Sequence, residues 1–120
     1  MKLLTKEIAK QIPPLYAQDG KGERAIAYVK FFDPTSQWTW YATEANAVLK
    51  GGREISLQEA MENPELIDDV IFFGWVIGHE KELGYFNLKE LESVRGRLNL
   101  GIERDLHFNP KPLNEIRGWE

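Results

Sequence analysis

Cysteine is absent from the sequence, which excludes a disulfide framework, a thiolate metal site and a cysteine nucleophile. Basic residues are outnumbered, since 15 Lys and Arg stand against 19 Asp and Glu, for a formal net charge of −4. This balance argues against binding that depends mainly on nucleic-acid phosphates. Neither a phosphate-cradling glycine loop nor a GxSxG nucleophile turn occurs, so nucleotide hydrolases and serine hydrolases are disfavoured as well.

Long apolar runs are also missing. No run approaches the roughly 20 residues that a membrane helix needs, and the start MKLLTKEIAKQ lacks the apolar core of a signal peptide. We therefore expect a cytoplasmic protein with no membrane contact. A chain of 120 residues, 42% apolar and 28% charged, has the size and composition of one globular domain.

What the sequence does contain is a strongly patterned central stretch. Apolar residues occupy both faces of segment 70–77 (VIFFGWVI), which predicts a strand covered on both sides and placed centrally in a sheet. Gly78 and the charged residues after it predict a turn, and the apolar pattern of 83–86 predicts the second strand of a hairpin. Asn87, with Glu90 three residues later, forms a capping-box pattern that predicts a helix immediately afterwards.

The N-terminal part predicts a helix and another hairpin. Thr5 is placed to cap a short helix over 6–11, which two prolines then end. Residues 25–32 alternate in the manner of a strand, and the turn residues of 33–36 lead into the aromatic strand 37–43.

Beyond residue 44 the apolar pattern weakens, and Gly51-Gly52-Arg53 predicts the tip of a mobile surface loop. Ser56 and Glu59 predict a second capped helix over 57–62. Residues 102–108 (IERDLHF) read as a final strand, and the proline-containing stretch 109–120 as a tail that lies along the surface or frays. The expected fold is a single α+β domain, with a mainly antiparallel sheet of four to five strands and two or three short helices.

Two constellations are candidate sites. If 102–108 is a strand, Glu103, Asp105 and His107 project from one face and have the donor types for a divalent cation or for acid and base roles. The alternative is that they form the solvated face of an edge strand.

Aromatic residues make the second constellation. Trp38 and Trp40 fall on one face of the strand 37–43, and Tyr41 on the other. If exposed, these rings suit a protein partner or stacked nucleobases. If buried, they belong to the core, which a domain this small needs for its apolar area.

Several blocks of the chain match a known family. These are MKLLTKEI and PPLYA near the start, VKFF and WTWYATE in the first hairpin, FFGWV, EKELGYF and LKELESV in the middle, and IERDLHF and PKPL near the end. With them the chain resembles domain-of-unknown-function family 2958 over residues 1–116. The resemblance implies a small bacterial protein without an established activity, of a family often carried by plasmids, phages and integrated conjugative elements.

The leading functional hypothesis is a non-catalytic binding or accessory module that acts through protein contacts and needs no cofactor. The competing hypothesis is a small metal-dependent hydrolase or nuclease centred on Glu103, Asp105 and His107. Binding of single-stranded nucleic acid through the aromatic strand is a third alternative, which the acidic balance of the chain disfavours.

Overall fold

Two long paired strands, each of eleven residues, form the middle of the fold. The structure is a computed structural model that describes residues 2–119. Within that range the α-helices are α1 (Lys6–Gln11), α2 (Leu57–Ala60) and α3 (Leu88–Ser93). The strands are β1 (Ile26–Ala27), β2 (Val29–Phe32), β3 (Thr39–Leu49), β4 (Glu54–Ser56), β5 (Ile67–Ile77), β6 (Lys81–Asn87), β7 (Glu103–Arg104) and β8 (Lys111–Pro112). Short 3-10 turns lie at Gly22–Arg24, Pro64–Leu66, Arg97–Asn99 and Leu113–Glu115.

The strands pair in an antiparallel manner throughout the described range. One sheet has the order β6-β5-β3-β2-β7, and β4 pairs with the far end of β3, while β1 and β8 form a separate pair. The α+β class with a mainly antiparallel sheet, expected from the sequence, is confirmed. There are more strands than expected because the strand predicted over 25–32 is divided into β1 and β2. In addition, β4 and β8 have only three and two residues, too few to leave a periodic pattern.

The middle of the sheet is β3 rather than the apolar strand β5. β5 lies between β3 and β6, so segment 70–77 is internal but stands one strand away from an edge. The sequence obscures β3 because the side chains that it buries after its aromatic part are mostly alanines, which give a weak apolar pattern. The strand predicted over 37–43 is therefore longer than expected, whereas the exposed turn at 51–53 lies where the sequence predicts it. The strand continues to Leu49, and Gly51 and Gly52, both with positive φ, form the turn into β4.

A β-bulge in β3 changes the face of the sheet to which the side chains after it point. Thr43 is the extra residue, and its hydroxyl donates to the carbonyl oxygen of Phe73 (3.1 Å). Because of this insertion, Glu44 points to the same face as Tyr41 instead of the opposite one. β3 and β5 also approach very closely here, since a Cβ added to Gly74 would overlap the carbonyl oxygen of Tyr41.

The three helices cover one face of the sheet, which we call the helical face. Its core contains Phe31, Phe72 and Leu91, all at most 2% exposed, and the rings of Phe31 and Phe72 meet edge to face at 5.5 Å. The helices begin where the sequence predicts. Side-chain oxygens of Thr5 and Ser56 accept the capping hydrogen bonds of α1 and α2, and Asn87 forms the capping box of α3. No helix within residues 2–119 has the length and apolar character needed to cross a bilayer.

The opposite face, which we call the C-terminal face, is covered over part of its area by β1, β8 and residues 113–119. Tyr41 and Trp75 stack at 5.4 Å and pack with Leu113 and Ile116, which are 1% and 8% exposed. The expectation that 109–120 lies along the surface or frays is therefore wrong for these two core residues, whereas Glu120 lies outside the described residues.

This C-terminal pairing also explains a break near the N-terminus. The sequence predicts one strand over 25–32, and the structure divides it at Tyr28. The two parts pair with different partners, because β1 binds β8 while β2 binds β3. A sequence pattern records alternation but not the identity of the pairing strand.

Candidate functional site

The acidic candidate near the C-terminus is not assembled on a strand. β7 ends at Arg104, and Asp105 turns the chain by accepting a hydrogen bond from the His107 N–H (2.8 Å). Of the strand predicted over 102–108 only Glu103–Arg104 forms, so Glu103, Asp105 and His107 do not project from one strand face. All three nevertheless line one cleft of about 310 Å³.

The charge environment of this segment does not favour a metal either. The ammonium of Lys30 lies 3.6 Å from an Asp105 carboxylate oxygen and offsets its charge. Among residues 2–119 no three His, Asp or Glu side chains are grouped closely enough to hold a metal ion. The geometry lends the hydrolase alternative no support.

The two tryptophans of the aromatic candidate lie side by side on the helical face. Trp40 is buried and Trp38 half-buried, and their rings stack at 5.8 Å. The Trp38 ring lies over Gly78, where an added Cβ would overlap it, and meets His79 edge-on at 5.5 Å. Gly78 does not have a positive φ, so the position needs glycine for the space that Trp38 occupies. Tyr41, the third residue of the candidate, is buried in the core of the C-terminal face.

A groove runs beside the tryptophans, between β6 and α3, and we call it the tryptophan groove. Its volume is about 300 Å³, at the small end of the range for ligand pockets. Trp38, Trp40 and Phe86 form its walls, Gly84 lies at its floor, and Glu82 and Glu90 stand at its rim. A Cβ added to Gly84 would meet no atom within 4 Å, so the floor is open to a side chain from elsewhere.

β6 forms one edge of the sheet, and no strand within residues 2–119 pairs with its outer side. The Gly78 N–H donates to the Glu80 carbonyl (2.9 Å) in register with the β5–β6 ladder, and hydrogen-bonded pairs alternate along such a ladder. Consistent with that alternation, the Asn87 N–H turns away from β5 and donates to a Glu90 carboxylate oxygen (3.3 Å). The residues of β6 that direct their backbone groups outward are therefore Lys81, Leu83, Tyr85 and Asn87.

On the C-terminal face the same edge carries a partly exposed cluster of three aromatic side chains and one leucine. We call it the tyrosine patch: Tyr16, Phe73, Leu83 and Tyr85. Tyr16 and Tyr85 are 63% and 57% exposed, and the Phe73 and Tyr85 rings meet edge to face at 5.0 Å. A hydrogen bond with Tyr16 is the largest cause that raises the pKa of Tyr85 above its ordinary value, because this bond favours the neutral phenol. The two phenols thus interact although 69 positions separate them in the sequence.

A buried carboxylate holds Tyr16 in place. Glu44 is 4% exposed, and its two oxygens accept the backbone N–H groups of Tyr16 (2.9 Å) and Gln18 (2.8 Å). Tyr16 has a φ of 74°, in the left-handed region that costs a bulky residue conformational energy. Bonds to a charged acceptor are strong enough to offset that cost. Nothing in the sequence singles out Glu44, because only the bulge turns it to this face.

Taken with this geometry, residues 2–119 form a small antiparallel α+β domain with the long strand β6 at one edge of its sheet. Its sequence matches the family described as "Protein of unknown function (DUF2958)" over residues 3–116, and the chain belongs to that family. The resemblance seen in the sequence blocks is confirmed. Searches of curated proteins and of solved structures gave no significant match.

Proposed function

We propose that this protein is a non-catalytic binding module that takes up an extended segment of a partner protein as an added strand on β6. The observation that carries the proposal is the seven-residue outer edge of β6, unpaired within the described range and bordered by aromatic side chains on both faces.

Backbone hydrogen bonds would supply much of the affinity. Lys81, Leu83 and Tyr85 present outward N–H and C=O groups at the spacing of an antiparallel or parallel ladder. An extended segment satisfies such groups without a preformed fold of its own, which is the mode of strand addition.

Side chains of the added strand would supply selectivity. Successive side chains of a strand point to opposite faces, so one set would enter the tryptophan groove and the other would cover the tyrosine patch. Both surfaces are apolar in their interior and partly exposed, as expected of a surface that a partner covers.

The same geometry weighs against the third alternative, single-stranded nucleic acid. Trp40 is buried, and the carboxylates of Glu82 and Glu90 stand beside the groove, where they would repel phosphates. The family resemblance implies carriage on mobile elements, so we propose that the partner belongs to such an element or to its host.

The test compares two changes at one residue. A display library of random seven-residue peptides is selected on the immobilised protein, and selected peptides are titrated by fluorescence anisotropy. Leu83→Ala retains the outward N–H, whereas Leu83→Pro removes it without touching the ladder to β5. We expect Leu83→Pro to weaken peptide binding roughly two- to tenfold more than Leu83→Ala does, which is the loss expected for one backbone hydrogen bond.

Circular dichroism and urea unfolding check that both variants fold. Gly84→Val serves as a second variant, because its side chain fills the groove floor and valine suits a strand. Peptides that bind Leu83→Pro and Gly84→Val as tightly as the unchanged protein would contradict strand addition on β6, and so would a library that yields no binder.

A further inference from the structure

We infer that the segment bound by β6 has a basic residue, Arg or Lys, at the position opposite Gly84, between two apolar neighbours. This inference rests on the proposed strand addition and adds the chemical class of the partner. It follows from the charges and rings around the tryptophan groove on one face and from the tyrosine patch on the other.

The rim of the groove is acidic and unneutralised. Glu82 and Glu90 border it, no Lys or Arg lines it, and neither carboxylate forms an ion pair within residues 2–119. The Glu90 carboxylate accepts the capping hydrogen bond from the backbone N–H of Asn87, which is a neutral donor (3.3 Å). A cation from a partner would meet both carboxylates.

The walls of the groove suit the same cation. Trp38 and Trp40 stack on one another, and indole rings attract ammonium and guanidinium groups through their negative faces. The groove volume of about 300 Å³ accepts one long side chain with an apolar stem. Gly84 leaves space at the floor of the groove for this side chain, because no side chain of β6 stands between Glu82 and Phe86 on this face.

The opposite face requires different neighbours. Residues on either side of the basic one would point to the C-terminal face, where Leu83 is 47% exposed and Tyr85 57% exposed. Apolar side chains there would cover both in cross-strand contacts. The expected pattern in the partner is therefore apolar, basic, apolar.

A second copy of this chain is the rival occupant, and its charges fit less well. Antiparallel pairing of two β6 strands about Gly84 would set Leu83 opposite Tyr85, which is favourable. It would also bring Glu82 and Glu90 of both copies to one face without a cation. The ammonium of Lys81 lies on the other face and donates to the Gly118 carbonyl (3.0 Å).

The probe is a matched pair of labelled seven-residue peptides that alternate valine with polar residues and carry Arg or citrulline at the centre. Citrulline has the shape of Arg without its charge. We expect the Arg peptide to bind about tenfold more tightly than the citrulline peptide, from the cation–π and ionic contacts together. Added salt should reduce this preference.

Glu82→Gln with Glu90→Gln is the decisive variant, since glutamine retains the capping role of residue 90. It should reduce the preference for Arg to the part that the two indole rings supply, and it should leave citrulline binding unchanged. Leu106→Ser, at an exposed leucine remote from β6, is the control and should retain the preference.

Equal binding of both peptides, lost in each case on Leu83→Pro, would overturn the basic partner and leave strand addition standing. Failure of both peptides to bind the unchanged protein would overturn both proposals. Sedimentation that shows a dimer dissociated by Leu83→Pro would identify a second copy as the occupant, which also overturns the basic partner.

Discussion

The two edges of the sheet are built in opposite ways. β7 has two residues, both charged, and Asp105 turns the chain away directly after them. β6 has seven residues with no proline and no bulge, and it carries Leu83, Tyr85 and Phe86. Proteins avoid unwanted strand pairing with short, charged or interrupted edges. The β7 edge is both short and charged. The charges of β6, Lys81 and Glu82, stand at its start, and residues 83–87 carry none.

Coverage of the C-terminal face differs in the same direction. The last residues of the described chain cover Tyr41 and Trp75, and Trp119 meets the Trp75 ring edge-on at 4.9 Å. Phe73, two residues earlier on β5, instead contacts the exposed ring of Tyr85. We therefore expect the covered half of the sheet to contribute more to the stability of the fold than the open half, whose side chains remain exposed. Four predictions test this division.

The largest effect is expected from glycines on paired strands. Gly74→Ala should lower the free energy of unfolding by roughly 4 kcal/mol, because the new methyl group would collide with rigid backbone at Tyr41. Gly84→Ala, directly opposite in the register, should change it by no more than about 0.5 kcal/mol. Urea unfolding measures both. Equal losses would mean that β6 is as tightly packed as β5.

Leucines provide the next comparison. Leu113→Ala should cost about 3 kcal/mol, since the side chain is fully buried in the C-terminal core. Leu83→Ala, on the open half, should cost about 0.5 kcal/mol. Thermal and urea unfolding of the two variants give the difference. A small loss of unfolding free energy for Leu113→Ala would mean that the C-terminal segment is a surface tail after all.

Glu44 tests how the open half is organised. Glu44→Gln should lower the free energy of unfolding by about 2 kcal/mol, because an amide NH₂ group cannot accept the backbone N–H that one carboxylate oxygen accepts now. Amide exchange should accelerate at Tyr16 and Gln18. Glu62→Gln, which makes the same change at an exposed carboxylate, is the matched control and should leave exchange at Tyr16 unchanged. Unchanged exchange at Tyr16 would show that another contact holds its backbone.

The smallest effect concerns the pKa of Tyr85. The pKa of Tyr85 is raised in the folded state. The contribution of its interaction with Tyr16 to the stability of the fold is therefore fully present below the ordinary tyrosine pKa, and it is lost as pH rises through the raised value. Tyr16→Phe removes the largest cause and should lower the Tyr85 pKa. A pH titration of ¹³C-labelled tyrosines by NMR follows it. An unaltered titration would show that the two phenols are not coupled.

Local signals in the sequence were sufficient to predict the helix caps and the hairpin of β5 and β6. Thr5, Ser56 and Asn87 act on backbone groups within three residues, so their roles are visible in a short window. Glu44 acts across 28 positions, and Leu113 donates its N–H to Ala25 across the length of the domain. Alternation assigned Trp38 and Trp40 to one face correctly. The open edge of β6 followed only from the strand order, which no pattern within one strand encodes.

Asn87 is at once the last residue of β6 and the N-cap of α3. Its amide donates to an Asp69 carboxylate oxygen at 2.7 Å, and the other oxygen of Asp69 accepts the Lys89 N–H at 3.0 Å. A slip of β6 by one residue would break the cap and both bonds to β5 at once. The register of β6 on β5, and with it the positions of its outward backbone groups, is therefore fixed by one residue that belongs to both the strand and the helix.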